Sequence, residues 1–124
     1  MIFLDTNILV RLYNGDLKSL SKKAIKHIED NMVCISPIVM LELEYLFEIK
    51  KVNEKGRSVV DYLSDKIGLE IDECNFSDII EYSLYETWTR DPFDRIIVSH
   101  AKRKNGFLIS SDSLIKRHYD KTIW

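Results

Sequence analysis

Two cysteines, two prolines and four glycines are all that this 124-residue chain carries of the residues that staple, stiffen or loosen a backbone. Cys34 and Cys74 show no C-x-x-C spacing, so neither a disulfide framework nor a zinc site is suggested and a reducing compartment fits best. Scarce Gly and Pro, no low-complexity stretch and no repeat at solenoid periods point to one ordered domain spanning residues 1–124. No apolar run approaches the roughly 20 residues needed to cross a bilayer, and no basic leader precedes the first apolar stretch, so we expect a soluble cytoplasmic protein. Neither sign of charge dominates: 18 Lys and Arg against 20 Asp and Glu leave a net charge of -2. That excludes a generic nucleic-acid coat, and any contact with phosphates must come from a local patch such as Lys102, Arg103 and Lys104.

What the chain does have is short, bounded apolar runs. At 45% hydrophobic, it can hide roughly two thirds of the surface its unfolded form would expose. "IFL" reads as a strand buried on both faces, and "TNILVRLY" after it returns to helical spacing. A helix through Ala24, Ile25 and Ile28 leads to a second strand, "MVCIS". Ser36 is then expected as a side-chain cap and Pro37 as the first residue of a helix running to about Lys51. The next helix starts near Asn53, turns Val59, Val60 and Leu63 inward, and exits at Gly68. "LEI" is a third strand. Ser77 is expected to cap a helix with Ile79, Ile80, Ser83, Leu84 and Trp88 down one side. Asp91 and Pro92 open a further helix that Asn105 and Gly106 close. "FLIS" is a fourth strand, "SDSLIKRH" a last short helix, and "TIW" a small edge strand. The alternation predicts an α/β fold, a three-layer α/β/α sandwich around a central parallel sheet of four to five strands.

Against this pattern some carboxylates are misplaced. Placed at about 100° per residue, the glutamates of "PIVMLELEYLFEIKK" separate: Glu44 and Glu48 share a wet stripe with Lys51, whereas Glu42 points into the apolar arc near Ile38, Leu46 and Ile49. In "PFDRIIVSHAKRK", Asp94 shares a face with Ile97, Val98 and Ala101. An ionised carboxylate withdrawn from water must find a cation, a hydrogen bond or a proton. Local explanations exist for each acid. Glu42 could meet a basic partner, "DPFD" resembles a capping box with Asp for Glu, and Asp5 and Asp112 each follow a strand and precede a helix, as N-caps do. Taken jointly, Asp5, Glu42, Asp94 and Asp112 all fall at strand exits or in the early turns of helices that follow, which in a parallel sheet share one rim. Four acids there repel unless a cation is present, and oxygen-only donors suit Mg2+, with Mn2+ also possible. The chemistry this suggests is phosphodiester hydrolysis.

"FLDTNIL", "ISPIVMLELEYL", "RDPFDRIIVSHA" and "FLISSDSLI", in this order across nearly the whole chain, resemble the PIN-domain family and within it the short VapC-type ribonuclease toxins. By position, Asp5 and Asp94 match the family's principal metal-binding aspartates, Glu42 its central glutamate and Asp112 its fourth acid. Thr6 and Ser110 match small hydroxyl positions beside the site. Ser110 stands where threonine is usual, a departure expected to touch a hydrogen bond to the fourth acid. The resemblance implies an RNA substrate, a homodimer and a small antitoxin covering or entering the active groove. Arg11, Arg90, Arg95 and Lys102 are candidates for a phosphate track, though solvated surface is the plainer reading. Tyr82, Tyr85 and Trp88 are candidates for a partner groove, though core is the plainer reading of aromatics at helical spacing; Asp91 reads as a helix cap and His100 as structural. Two rival readings remain at this point: a phosphoacceptor or phosphatase site, which lacks its DxD form because Thr6 and Asn7 follow Asp5, and a non-catalytic module whose acids serve only as caps.

Overall fold

Short apolar runs become five strands because each is long enough for one or two residues per face and no more. The structure, a computed structural model, describes every residue from 1 to 124. The chain runs β1 (Ile2–Leu4), α1 (Thr6–Tyr13), a 3-10 turn (Leu17–Ser19), α2 (Lys22–Asp30), β2 (Val33–Ile35), α3 (Ile38–Glu48), α4 (Gly56–Ile67), β3 (Glu70–Ile71), α5 (Phe76–Ser83), α6 (Pro92–Arg103), β4 (Phe107–Ile109), α7 (Ser113–His118) and β5 (Thr122–Ile123). The strands form one sheet in the order β3-β2-β1-β4-β5. All pairings are parallel, with Ile2 opposite Val33 and Phe107, and Ile109 opposite both Leu4 and Ile123. Ile2, Phe3 and Leu4 point alternately to opposite faces, yet all three are buried. The centre of the sheet is therefore covered on both sides, as parallel sheets require.

From β1 the chain steps to β2 and β3 on one side, then crosses back to β4 and β5 on the other. The reversal opens a crevice at the carboxyl ends of β1 and β4, the place where ligands bind in open parallel sheets. Asp5 directly follows β1, Ser110 and Asp112 follow β4, and the helices carrying Glu42 and Asp94 begin nearby.

Several helix boundaries differ from the sequence expectation, each for an identifiable reason. Ser36 does not cap α3 with its side chain; its hydroxyl meets the buried His100 ring at 2.8 Å instead, while Pro37 adopts helical angles as expected. The same helix stops at Glu48 because Lys50 takes φ 63°. This closes a Schellman turn through Lys51 N–H to Leu46 O (2.8 Å) and Lys50 N–H to Phe47 O (3.0 Å), at a position glycine usually fills. Glu44 is not a solvent stripe residue: its carboxylate accepts the Gly56 N–H at 3.0 Å and starts α4 at residue 56 rather than near Asn53. A side chain at Gly56 would stand 2.6 Å from the Met40 carbonyl, so glycine is what lets α3 and α4 touch. Ser77 lies inside α5, which Asn75 caps two residues earlier by accepting from Asp78 N–H. That helix ends at Ser83, whose hydroxyl donates back to Ile80 O at 2.7 Å. Leu84, Tyr82 and Tyr85 therefore stand exposed, the last 82% so, and only Trp88 of the expected aromatic core packs against the interior. No helix is long and apolar enough to cross a membrane.

Candidate functional site

Asp5 is where the crevice begins. Its backbone N–H donates to Ile109 O at 3.0 Å, which ties the exit of β1 to the end of β4. Its side chain is 6% exposed. One carboxylate oxygen accepts the Thr6 N–H (2.8 Å) and the other the Ser110 hydroxyl (2.6 Å), so the bonds that would make it a simple N-cap to later turns of α1 are not made. Thr6, also buried, turns its hydroxyl across to the Glu42 carboxylate. Ser110 accepts in turn from the Asp112 N–H at 3.1 Å. The serine thus keeps a hydrogen bond to the fourth acid, through that residue's backbone N–H, while its own hydroxyl donates to the first acid's carboxylate. One chain of hydrogen bonds runs from Glu42 through Thr6 and Asp5 to Ser110 and Asp112, joining residues from three parts of the sequence.

Asp94 enters by a different route. The N-cap of α6 is Asp91, whose carboxylate accepts from Phe93 N–H (2.9 Å) and Asp94 N–H (3.3 Å). A capping box would return the favour from Asp94 to the Asp91 N–H, but that N–H donates to the Thr89 hydroxyl at 3.2 Å. The Asp94 carboxylate makes no hydrogen bond or ion pair to another residue, so the local explanation for it fails. Asp112 does cap its helix, accepting from Leu114 and Ile115 N–H at 2.8 and 3.0 Å. Capping and membership of the rim coexist there.

Electrostatics join these groups. Burial pushes the Asp94 carboxyl up to about 8, and repulsion from Asp91, Asp5, Glu42 and Asp112 adds to it. Glu42 rises to about 7, chiefly through burial, against the pull of the Thr6 hydroxyl and with a push from Asp5 and Asp91. Asp5 is also raised by burial, with its Ser110 and Thr6 hydrogen bonds opposing and the charges of Asp112 and Asp91 adding. None of the five acids pairs with Lys, Arg or His. Asp91, taken from sequence as a cap only, belongs to the cluster as a charge; its spacing three residues before Asp94 was the available signal.

The side chains do not form a closed chelate, since no three His, Cys, Asp or Glu groups stand in metal-holding geometry. The donor set nonetheless suits a hard cation of the Mg2+ type, which takes one or two carboxylates directly and keeps waters for the rest. Arg11, Arg90 and Arg95 each donate to a backbone carbonyl, of Ser19, Thr87 and Thr89, and Lys102 pairs with Glu86 at 2.6 Å. His100 bridges Ser36 and Asp72 (2.9 Å) beneath the Phe3 ring, and burial lowers its pKa. Neutral and fully partnered, it fits the structural reading.

Comparison with known proteins accords with this architecture. No curated protein sequence matches. Among solved structures, the chain is similar to one from VapBC2 of Rickettsia felis bound to a DNA fragment from their promoter, at 27% identity and TM-score 0.64, over 99% of this chain and 96% of that one. It also shares the fold of a chain in a toxin-antitoxin complex from Klebsiella pneumoniae, at 21% identity and TM-score 0.69, over 100% and 97%. The PIN domain model matches residues 2–121, so with its parallel five-stranded sheet and acid-lined crevice the chain belongs to the PIN domain family.

Proposed function

We propose that this protein is an endoribonuclease dependent on Mg2+ or Mn2+ and the toxin of a two-component toxin-antitoxin pair. One observation carries the reading: Asp5, Glu42 and Asp94, with Asp112 and Asp91 beside them, crowd one crevice, the first three are raised in pKa by burial and by neighbouring carboxylates, and none of the five has a basic partner. Membership of the PIN domain family and the likeness to a VapBC2 chain support the toxin assignment. A homodimer and a small antitoxin that covers the crevice complete the proposal.

A divalent cation, when bound, supplies the positive charge these acids lack and polarises a phosphoryl oxygen. Asp5, Glu42, Asp94 and Asp112 would hold it. Thr6 and Ser110 aim the Glu42 and Asp5 carboxylates through their hydroxyls, so neither acid needs to search rotamers on binding. Glu42 and Asp94, whose carboxyl pKa values burial raises, would have to give up a proton to hold such a cation, so affinity should rise with pH. The phosphoacceptor alternative gains nothing here, because no second carboxylate sits two residues beyond Asp5.

The test is cleavage of labelled single-stranded RNA by purified protein with Mg2+, with Mn2+ and with EDTA, alongside Asp94→Asn. Cleavage is expected only with a divalent cation and is lost in the variant. Equal cleavage by Asp94→Asn removes the acids from the mechanism. A wild type that neither cleaves nor gains thermal stability with Mg2+ returns the fold to a binding module.

A further inference from the structure

At the opposite ends of the two helices that start at the acidic rim, the surface changes sign. A groove of about 610 Å³ is walled by Lys102, Lys116, Arg117, His118 and Lys121, with Asp120 its one acid. The sequence prepares this: Arg95 to Lys121 hold seven of the 18 Lys and Arg but only two of the 20 Asp and Glu. Lys116 and Arg117 have no ion-pair partner. Lys121 makes no ion pair; its ammonium donates to the Asn105 side-chain oxygen at 2.6 Å and lies 5.4 Å from the centre of the Phe107 ring. His118 lies flat on Trp88, ring centroids 5.2 Å apart and 8° from parallel, which fixes that wall.

Helix dipoles account for basic residues in the last turn of α7. They do not account for Lys121, which lies outside any helix and meets Lys102 of α6, itself paired with Glu86 at 2.6 Å, at the same hollow. We infer that this groove is a second contact for the phosphodiester backbone of single-stranded RNA, holding the strand that leads away from the acidic crevice; the inference rests on the nuclease reading above. At about 1.5 Å per residue, Arg117 lies about 8 Å along α7 from Asp112, and Lys102 about 12 Å along α6 from Asp94. A strand seated at the acids therefore has a short path to the groove. An acidic peptide fits less well: Tyr119 is the groove's one hydrophobic lining residue and is itself 5% exposed, which leaves no pocket for an apolar anchor. A phosphate chain needs cations spaced along its track and no such pocket.

The experiment uses the full chain silenced by Asp94→Asn and a fluorescent single-stranded RNA of about 20 nucleotides, with affinity measured across a salt series. Adding Lys116→Gln, Arg117→Gln and Lys121→Gln should weaken binding at least about tenfold and lower the log–log salt slope by about 2, at about 0.7 per cation lost. Unchanged affinity and slope, with the triple variant still folded by its melt, overturns the inference. So does weakened binding of an acidic peptide with RNA binding intact. In the catalytically active chain, the triple variant should slow cleavage of the long RNA and leave that of a tetranucleotide unchanged. Equal slowing of both places these residues in the acidic site and overturns the separate groove. Absence of cleavage by the unmodified protein sinks the nuclease reading but leaves the binding measurement to decide the groove.

Discussion

Asp94→Asn should make the metal-free protein more stable while removing its activity. Burial and four neighbouring acids hold the Asp94 carboxyl at about 8, against 3.8 for the free group. Between those values the folded chain binds more protons than the unfolded one, so stability falls as pH rises from the lower value to the upper. The linkage up to about pH 7.5 would reach about 5 kcal/mol without screening, at about 1.4 kcal/mol per pH unit. Asp94 is only half-buried and water reaches it, so we take about 1–2 kcal/mol as the surviving penalty. Asparagine keeps the shape and drops the charge. In a protein of this size about 1 kcal/mol moves the melting temperature by about 3–5 °C. Thermal melts in EDTA should therefore place the variant about 3–10 °C above wild type near pH 7.5, and about a third of that near pH 5, where less of the penalty has accrued. His100, whose pKa is lowered, works in the opposite sense, since its contribution is lost as pH falls below about 6.5. Being common to both proteins, it cancels in the difference. A variant that melts at or below wild type near neutral pH, or whose gain ignores pH, refutes the idea that Asp94 is held in an uncompensated acidic site.

Mg2+ should stabilise the folded wild type by about 2.7 kcal/mol at 100 times its Kd and so raise its melting temperature, and should raise that of Asp94→Asn much less; calorimetry with and without Mg2+ checks it. Thr6→Val, which removes the hydroxyl that aims Glu42, should weaken Mn2+ binding about tenfold or more at nearly unchanged stability, measured by titration calorimetry. His100→Leu leaves Asp72 and Ser36 without their buried partner and should cost about 2–4 kcal/mol in denaturant unfolding. Gly56→Ala sets a Cβ 2.6 Å from the Met40 carbonyl and should cost about 1–3 kcal/mol, with α3 and α4 forced apart; an unchanged denaturation midpoint would show that the contact relaxes freely.

The sequence alone carried the order of strands and helices, the parallel α/β class and the place of Asp5, Asp94 and Asp112 at strand exits or helix starts. These depend on apolar periodicity and on breakers such as Gly68 and the Asp91-Pro92 pair, which act within a turn or two of chain. It also exposed Glu42 and Asp94 as inward acids, because a helix of known pitch fixes which side chains share a face. What each polar group bonds was decided only by the tertiary structure. Ser36 left its expected cap for His100, 64 residues away, Glu44 crossed to Gly56, and Thr89 took the N–H that Asp94 was expected to accept. Lys50 in a left-handed turn shortened α3 where no glycine marked the end. The basic groove appears only when Lys102 and Lys121, distant in sequence, meet across α7. Local propensity is written into neighbouring residues, but a hydrogen bond or a field belongs to whatever stands a few ångströms away in space, and that is set by how the sheet brings its strand ends together.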